Sequence, residues 1–235
     1  MSKSDDVLII TGASSGIGAA SARKLASRYR LVLAGRRPEP LQDLAAELGG
    51  EDRAIAVPCD VAEWGQVENL AATAVEQFGS IDAVFANAGF GAGRGFLEES
   101  PEHWRSMVLT NVLGTALTVR ATLPHLLERG TGHYLVTSSI AGRRVLPGSL
   151  YSATKFATTA IGEALRLELR EIHDENRIRV TLIEPGMVDT DFFDQRPGEY
   201  ALTDDDVARA VEYALDQPDS VDLNEIVIRP IRQAL

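Results

Sequence analysis

A tyrosine and a lysine, Tyr151 and Lys155, stand four residues apart in a segment whose apolar spacing predicts a helix. Residues at this spacing lie on one face of a helix, one turn apart. A free tyrosine has a pKa near 10, so proton exchange at neutral pH requires a shift of about three units, or roughly 4 kcal/mol. One ammonium about 4 Å away contributes about 4 kcal/mol at an effective dielectric constant near 20. The pair therefore predicts a tyrosine that exchanges a proton with a substrate, although such pairs alone are common and mostly structural.

A glycine-rich turn at residues 11–18 follows the first apolar run of the chain and precedes a predicted helix. It reads TGASSGIG, with glycines at positions 12, 16 and 18. Small residues let the backbone turn tightly, let a pyrophosphate approach the main chain and let the helix pack close to a sheet. Ordinary loops also contain such glycines, and the position between strand and helix is what favours a phosphate-binding site.

The elements that must hold these residues alternate along the whole chain, in the pattern typical of a parallel α/β sheet. Candidate strands cover residues 7–11, 31–34, 54–57, 81–86, 133–137, 179–183 and 225–228. Candidate helices cover residues 17–28, 41–48, 66–78, 101–128, 151–173 and 203–216. Ser100 before Pro101, and Thr203 before three aspartates, are typical starts of helices.

No low-complexity linker, internal repeat or shift in composition marks a domain border, so we expect residues 1–235 to form a single domain. Seven strands with right-handed crossovers predict a Rossmann-like doubly wound sheet, mainly parallel, with helices on both faces. Such sheets bind ligands beyond the carboxyl ends of the strands, where the winding reverses. We therefore expect the chemistry in the loops after the first, fourth, fifth and sixth strands.

Composition and charge exclude several classes of protein. Of 235 residues, 45% are hydrophobic, which is enough for a packed core. The formal net charge of -11 disfavours binding to nucleic acid or to anionic lipid. No apolar run approaches the roughly 20 residues that cross a bilayer, and the first residues lack a secretory pattern, so we expect a cytoplasmic protein. A single cysteine, Cys59, and four scattered histidines predict neither an internal disulfide nor a metal site.

The G-x-x-x-G-x-G spacing of the turn departs from the usual G-x-G-x-x-G and, with Thr11 before it, resembles the short-chain dehydrogenase/reductase family. Further segments fit that family in its order along the chain: residues 87–89 (NAG), Asn111, residues 138–139 (SS), residues 151–155 (YSATK) and residues 185–186 (PG). Together they cover nearly the whole chain, so the resemblance is far more specific than any one motif. It implies an oxidoreductase that interconverts a carbonyl compound and its alcohol by hydride transfer.

The resemblance also implies the catalytic roles. Tyr151 exchanges the proton with the carbonyl oxygen, Lys155 binds the nicotinamide ribose, and a serine hydroxyl orients the substrate. Asn111 interrupts helix bonding and holds a water that links the lysine to a proton relay; without the resemblance it would be an exposed helix residue. Ser139 is expected as the serine, 12 residues before Tyr151, although Ser138 has the commoner spacing of 13, because a one-residue deletion in the following loop explains the difference.

The cofactor is expected to be NADP(H) rather than NAD(H). Gly35 stands where NAD-preferring relatives carry Asp, and Arg36 can supply a planar fork for a 2′-phosphate, unless Arg36 and Arg37 are merely solvated surface. Asp60 corresponds to the residue that holds the adenine ring, with a capping role as the alternative. The full set implied for the cofactor is Gly12, Ser14, Ser15, Gly16, Ile17, Gly18, Arg36, Arg37, Asp60, Val61, Asn87, Ala88, Gly89, Tyr151, Lys155, Pro185, Gly186, Val188 and Thr190.

The substrate and the partners are less constrained. The expected lining residues are largely apolar and favour a hydrophobic carbonyl compound: Phe90, Gly91, Phe96, Val145, Leu146, Met187, Phe192 and Phe193. Residues 187–198 are expected to form a lid, with Thr190 reaching the nicotinamide carboxamide. The helices at 101–128 and 151–173 correspond to those through which relatives pair, which implies a homodimer or homotetramer. Two alternatives stay open: a non-catalytic NADP(H)-binding sensor or scaffold, and an epimerase or dehydratase on the same fold.

Overall fold

The computed structural model describes residues 5–174, 176–190 and 200–233, and these contain one parallel sheet of seven strands. The strands are β1 (Val7–Thr11), β2 (Arg30–Gly35), β3 (Ala54–Pro58), β4 (Ala83–Ala86), β5 (Thr131–Thr137), β6 (Arg177–Pro185) and β7 (Glu225–Ile228). Their order is β3-β2-β1-β4-β5-β6-β7, so the winding reverses between β1 and β4. The predicted Rossmann-like doubly wound sheet is confirmed, with every neighbouring pair parallel.

Helices cover both faces of this sheet. They are α1 (Gly16–Leu25), α2 (Pro38–Glu47), α3 (Trp64–Phe78), α4 (Pro101–Val108), α5 (Gly114–Arg129), α6 (Leu150–Glu171) and α7 (Asp204–Leu215). Both predicted starts are confirmed: the Ser100 hydroxyl accepts from the His103 amide at 3.1 Å, and Thr203 forms a reciprocal cap with Asp206. The aspartates after Thr203 thus begin a helix, where their charge is favourable.

Alternation along the strands divides the core into two layers. Leu8 and Ile10 of β1 face one layer with apolar residues of α1, α2 and α7. Val7 and Ile9 face the other layer with apolar residues of α3, α5 and α6. Because both faces are buried, the central strands are almost continuously apolar, as expected of a parallel sheet covered by helices on both sides. The carboxyl edge of the sheet is therefore held rigidly for the loops that follow it.

The predicted single helix over residues 101–128 is wrong in its middle, where a π-helical turn at Leu109–Leu113 separates α4 from α5. The main-chain oxygen of Asn111 accepts from the hydroxyls of Thr115 at 2.8 Å and Thr158 at 3.2 Å. Asn111 is buried, not exposed, and its side chain bonds the loop after β4. Turning this side chain inward widens the helix by one residue, a device often found at functional sites.

The described residues contain neither a membrane-spanning helix nor a group of metal ligands. None of the helices in these ranges is long and apolar enough to cross a membrane. Within the same ranges, no three His, Cys, Asp or Glu side chains are grouped as metal ligands. Cys59 is buried, and burial raises the pKa of its thiol to about 11.

Candidate active site

The glycine-rich turn packs backbone directly against backbone. Gly12 has a φ of +69°, in the left-handed region, and a Cβ there would lie 2.9 Å from the Cα of Ala88. A Cβ on Gly18 would overlap the carbonyl oxygen of Gly12. Ser15 begins α1 without a side-chain bond to the first-turn amides, so those donors face outward from the helix N-terminus. A pyrophosphate fits this turn, because its oxygens can take those amide bonds and no side chain bars the approach.

Arg37 is the arginine that reaches this turn. Its Nη2 donates to the hydroxyls of Ser14 at 3.1 Å and Ser15 at 2.8 Å. Arg36, which the sequence had favoured as the phosphate fork, has its guanidinium carbon 5.9 Å from the centroid of the Phe90 ring. Arg36 thus lies toward Phe90, whereas Arg37 lies toward the glycine-rich turn. Arg37, which follows β2, forms a polar cluster with Ser14 and Ser15 of that turn.

The loops after β3 and β4 lie on either side of this turn. Asp60 Oδ1 accepts from the Ala62 amide at 3.0 Å, within its own turn. The residue before α3 is Glu63, which makes no side-chain cap bond, so the alternative of Asp60 as the cap before Trp64 is not found. Val61 is buried against Gly114 of α5. Neither contact tests the expected place of the adenine ring beside them, which stays a prediction.

Asn87 joins the ends of three strands. Its amide and that of Ala88 donate to the Thr11 hydroxyl at 3.0 and 3.1 Å, and its Nδ2 donates to the Thr11 carbonyl at 3.2 Å. On the other side, the Thr137 hydroxyl donates to Asn87 Oδ1 at 3.0 Å. The sequence analysis named Thr11 only as part of the glycine-rich motif and did not single out Thr137. The signal in the sequence was that β1 and β5, the strands on either side of β4, each end in a threonine.

Asn111 fixes the next part of that loop to α6. Its Oδ1 accepts from the Phe90 amide at 3.0 Å, and its Nδ2 donates to the Phe90 carbonyl at 2.9 Å and to Thr154 Oγ1 at 3.1 Å. A Cβ on Gly89 would lie 3.0 Å from Asn111 Oδ1. These contacts explain why a buried asparagine is needed here. Its part in a proton relay stays a prediction.

Tyr151 and Lys155 lie in the first turns of α6, one above the other. Ser149 begins the helix by accepting from the Ser152 amide at 3.2 Å. Lys155 is buried, and its Nζ donates to the Thr137 carbonyl at 2.8 Å and lies 5.7 Å from the centroid of the Tyr151 ring. The tyrosine is half-buried, and its hydroxyl lies near that of Ser139.

Burial dominates the proton affinities of this pair. It raises the pKa of Tyr151 to about 12, and the hydrogen bond with Ser139 opposes the rise. Burial also lowers the pKa of Lys155 to about 8. The expected lowering of the tyrosine pKa by the lysine is therefore not found, because removal from water disfavours the charged form of both groups. The phenol keeps its proton at neutral pH.

The two adjacent serines face opposite ways. Ser138 is buried behind the site, where its Oγ donates to the Lys155 carbonyl at 3.1 Å and bonds Thr159 Oγ1 at 2.7 Å. Ser139 faces Tyr151, donates to the Pro185 carbonyl at 3.3 Å and accepts from the Ala141 amide at 3.1 Å. Its hydroxyl begins the 3-10 turn Ile140–Gly142. Of the two candidates, only Ser139 meets the tyrosine.

The segment after β6 returns to the glycine-rich turn. The Gly186 amide donates to the Ile228 carbonyl at 2.7 Å, and Val188 pairs with Leu202 in an isolated bridge. The side chain of Thr190 lies against Gly16, where a Cβ would be 3.3 Å from Thr190 Cγ2. Residues 191–198 of the expected lid, with Phe192 and Phe193, lie outside the described residues.

Three of the expected lining residues, Phe96, Val145 and Met187, are exposed. The Phe96 ring meets Trp104 edge-on at 5.9 Å between centroids. The loops after β4 and β5 meet where the Gly95 amide donates to the Gly148 carbonyl at 2.9 Å. The sequence did not indicate this contact, because it joins backbone groups of two distant loops.

Another residue that the sequence did not single out is Glu184, next to Pro185 at the end of β6. Its side chain is fully buried and bonds Arg143, which follows the Ser139 turn. The signal was present in the sequence as one carboxylate in the apolar run VTLIEP at residues 180–185.

The comparisons with known proteins agree with this geometry. A family model described as short chain dehydrogenase matches residues 6–200. An uncharacterized oxidoreductase of Staphylococcus aureus strain MW2 is 39% identical over 231 residues, which cover 97% of this chain and 98% of that one.

Among solved structures, an alcohol dehydrogenase from Thermococcus sibiricus, complexed with 5-hydroxy-NADP, has 34% identity and a TM-score of 0.88 over 98% of both chains. The closed form of a serine dehydrogenase with NADP+ has 31% identity and a TM-score of 0.90, covering 97% of this chain and 96% of that one. Similar structures contain either NADP or NAD. The chain belongs to the short-chain dehydrogenase/reductase family of oxidoreductases, which use a nicotinamide cofactor.

Proposed function

We propose that this protein is an NADP(H)-dependent oxidoreductase that interconverts a carbonyl compound and its alcohol, with Tyr151 as the proton donor and acceptor. The observation that carries the proposal is the closeness of the Tyr151 and Ser139 hydroxyls, with Lys155 Nζ 5.7 Å from the centroid of the tyrosine ring. Two neighbouring hydroxyls can both bond one carbonyl oxygen. The family's nicotinamide cofactor supplies or accepts the hydride when it is bound.

In the direction of reduction, the chain's own groups have the required protonation states. The phenol of Tyr151, with a pKa of about 12, holds a proton that it can donate to a carbonyl oxygen. Ser139, whose single hydroxyl proton goes to the Pro185 carbonyl in the structure, turns that proton to the substrate oxygen and orients the substrate. The phenolate that forms is stabilised by the positive charge of Lys155.

Several groups of the chain would hold the cofactor. The first-turn amides of α1 would bind the pyrophosphate, residues 87–89 would lie beside it, and Lys155 and Thr190 would hold the nicotinamide half. A preference for NADP(H) is supported at the end of β2, where Gly35 carries no carboxylate and Arg37 donates to Ser14 and Ser15. A 2′-phosphate would take charge-assisted bonds from this cluster.

The exposed apolar side chains of Phe96, Val145 and Met187 support a hydrophobic substrate. We also propose a homodimer or homotetramer that pairs through α4, α5 and α6, because Val108, Leu113, Phe156 and Leu167 are exposed there. A cytoplasmic enzyme without nucleic-acid or membrane partners agrees with the net charge of -11.

The experiment that tests this function follows the absorbance of reduced nicotinamide during incubation with a panel of aliphatic and aromatic ketones and aldehydes. Each compound is assayed with NADPH and with NADH. We expect turnover of apolar carbonyl compounds with NADPH. Binding of NADPH without turnover on any member of the panel would favour the sensor alternative, and faster turnover with NADH would overturn the cofactor assignment.

A further inference from the structure

Glu184 is a buried carboxyl group directly behind the proposed catalytic residues. Its side chain has no exposed surface, whereas the carboxylate of Glu225 on the neighbouring strand β7 is 40% exposed. Arg143 bonds both carboxylates through its Nε and Nη2. A buried carboxylate is costly unless it is paired, and apolar residues of similar size fill such positions at lower cost. Packing alone therefore does not explain why a glutamate occupies position 184.

The first link to the site runs through the turn that carries Ser139. Arg143 directly follows the 3-10 turn Ile140–Gly142, and its amide donates to the Ile140 carbonyl at 3.0 Å. Ser139, at the start of this turn, donates to the carbonyl of Pro185, the residue after Glu184. The turn is thus bonded to the end of β6 at two points. Arg143, after the turn, bonds Glu184, and Ser139, at its start, bonds the Pro185 carbonyl.

The second link runs through α6. Thr159 is one turn beyond Lys155, and its hydroxyl bonds Ser138 at 2.7 Å. The same hydroxyl opposes the rise that burial causes in the pKa of Glu184, so it lies close to the carboxyl group. Glu184 Oε1 makes no hydrogen bond to a described residue, so Arg143, which bonds Oε2, is the principal partner of the carboxyl. The carboxyl therefore bonds the residue that follows the Ser139 turn and lies near α6, which bears Tyr151.

We propose that Glu184 and Arg143 are positioning residues, which hold the Ser139 turn so that its hydroxyl meets Tyr151 in the cleft. The proposal rests on the proposed function of Ser139 and Tyr151. Without Glu184, Arg143 would pair with Glu225 alone and the turn would keep only the Ser139 bond to Pro185. Misplacing a catalytic group by about 1 Å can cost on the order of a hundredfold in rate. The glycine-rich turn lies between β1 and α1, away from this pair, so we expect the affinity for NADPH to be unaffected.

The test is a double-mutant cycle between this pair and the serine. Glu184→Ala, Arg143→Ala and Ser139→Ala are made singly, and each of the first two is combined with Ser139→Ala. For every variant, kcat, KM, the Kd for NADPH and the thermal midpoint are measured on the whole protein. Glu184→Gln keeps an oxygen for Arg143 and is the rescue variant. Glu47→Gln, which breaks the exposed ion pair with Arg23 between α1 and α2, is the control.

We expect Glu184→Ala and Arg143→Ala each to lower kcat by about tenfold with an unchanged Kd for NADPH, and to have almost no further effect when Ser139 is already Ala. Glu184→Gln should recover most of the rate, and Glu47→Gln should match the parent. Because Arg143 is 39% exposed, its variant is expected to fold even if Glu184→Ala does not.

Two failures can be told apart. If Ser139→Ala leaves kcat unchanged, the proposed function of the serine is wrong. If Ser139→Ala lowers kcat but the Glu184 and Arg143 effects are absent, or simply add to it, the positioning role is wrong and the proposed function stands. A fall in the thermal midpoint with an unchanged kcat also overturns the positioning role, because it shows a purely structural pair.

Discussion

The Nζ of Lys155 lies 2.8 Å from the carbonyl oxygen of Thr137, which anchors the lysine of α6 to the end of β5. The hydroxyl of the same threonine bonds Asn87, at the end of β4. The position of the ammonium below Tyr151 is therefore set by two strands and not by the helix alone. A buried amine with one neutral acceptor has a lowered pKa, here about 8.

The first prediction concerns the pH dependence of reduction. Lys155 is protonated below a pH of about 8 and loses its charge above it, so a rate that needs the ammonium is complete below this pH and falls as pH rises through it. The measurement is kcat/KM against pH with NADPH and a good ketone. Lys155→Met should give a low rate without this step, and a parent profile that rises through the same range would refute the assignment.

The second prediction concerns cofactor choice. Arg37→Ala removes the guanidinium that bonds Ser14 and Ser15, and should weaken NADPH binding by about 10- to 100-fold, as expected for a lost charge-assisted bond. Affinity for NADH should stay the same. Arg36→Ala, whose guanidinium lies toward Phe90, is the matched control and should have the smaller effect. Equal losses for both cofactors would contradict the role.

The third prediction concerns stability. Asn111→Ala leaves the half-buried Phe90 amide and carbonyl without their partners and opens a gap where the buried Asn111 side chain was, so the free energy of unfolding should fall by about 2–4 kcal/mol. Denaturant titration at neutral pH measures it. A matched change at an exposed position, Asn69→Ala on α3, should cost less than about 0.5 kcal/mol. A loss at Asn111 as small as this would show that its bonds contribute little.

The fourth prediction separates charge from shape at Glu184. Burial raises the pKa of Glu184 above its ordinary 4.5, so its contribution to stability is complete below pH 4.5 and is lost as pH rises through the raised value. Glutamine does not titrate. The thermal midpoint of Glu184→Gln relative to the parent should therefore increase from acid to neutral pH. A difference that is constant over this range would mean that the carboxyl titrates normally.

Much of the fold follows from patterns that the sequence displays. The bounds predicted for β1 and β7 agree with the structure, and every predicted helix has its counterpart, because apolar periodicity reports burial directly. The interruption at Leu109–Leu113 was not visible as a break in periodicity. It depends on Asn111 bonding the distant residue Phe90, and such a tertiary contact leaves no local pattern.

Within the site, the sequence left choices between adjacent residues, and the structure places the two members of each pair in different surroundings. Ser138 and Ser139 are neighbours, and so are Arg36 and Arg37. Consecutive side chains on an extended backbone point to opposite sides, so a shift of one residue exchanges the site for the interior or for another surface. The pKa of Tyr151 differs from the expectation for another reason. The expectation counted the charge of Lys155 but not the cost of removing Tyr151 and Lys155 from water.

The measurement that tests the central claim most directly compares Tyr151→Phe with the parent for both turnover and NADPH binding. The variant keeps the ring and removes only the hydroxyl. We predict that NADPH-dependent reduction falls by at least about a hundredfold, the lower range for loss of a general acid, while the Kd for NADPH stays within about twofold. A phenylalanine variant that reduces the same ketone at the parent rate would contradict the account.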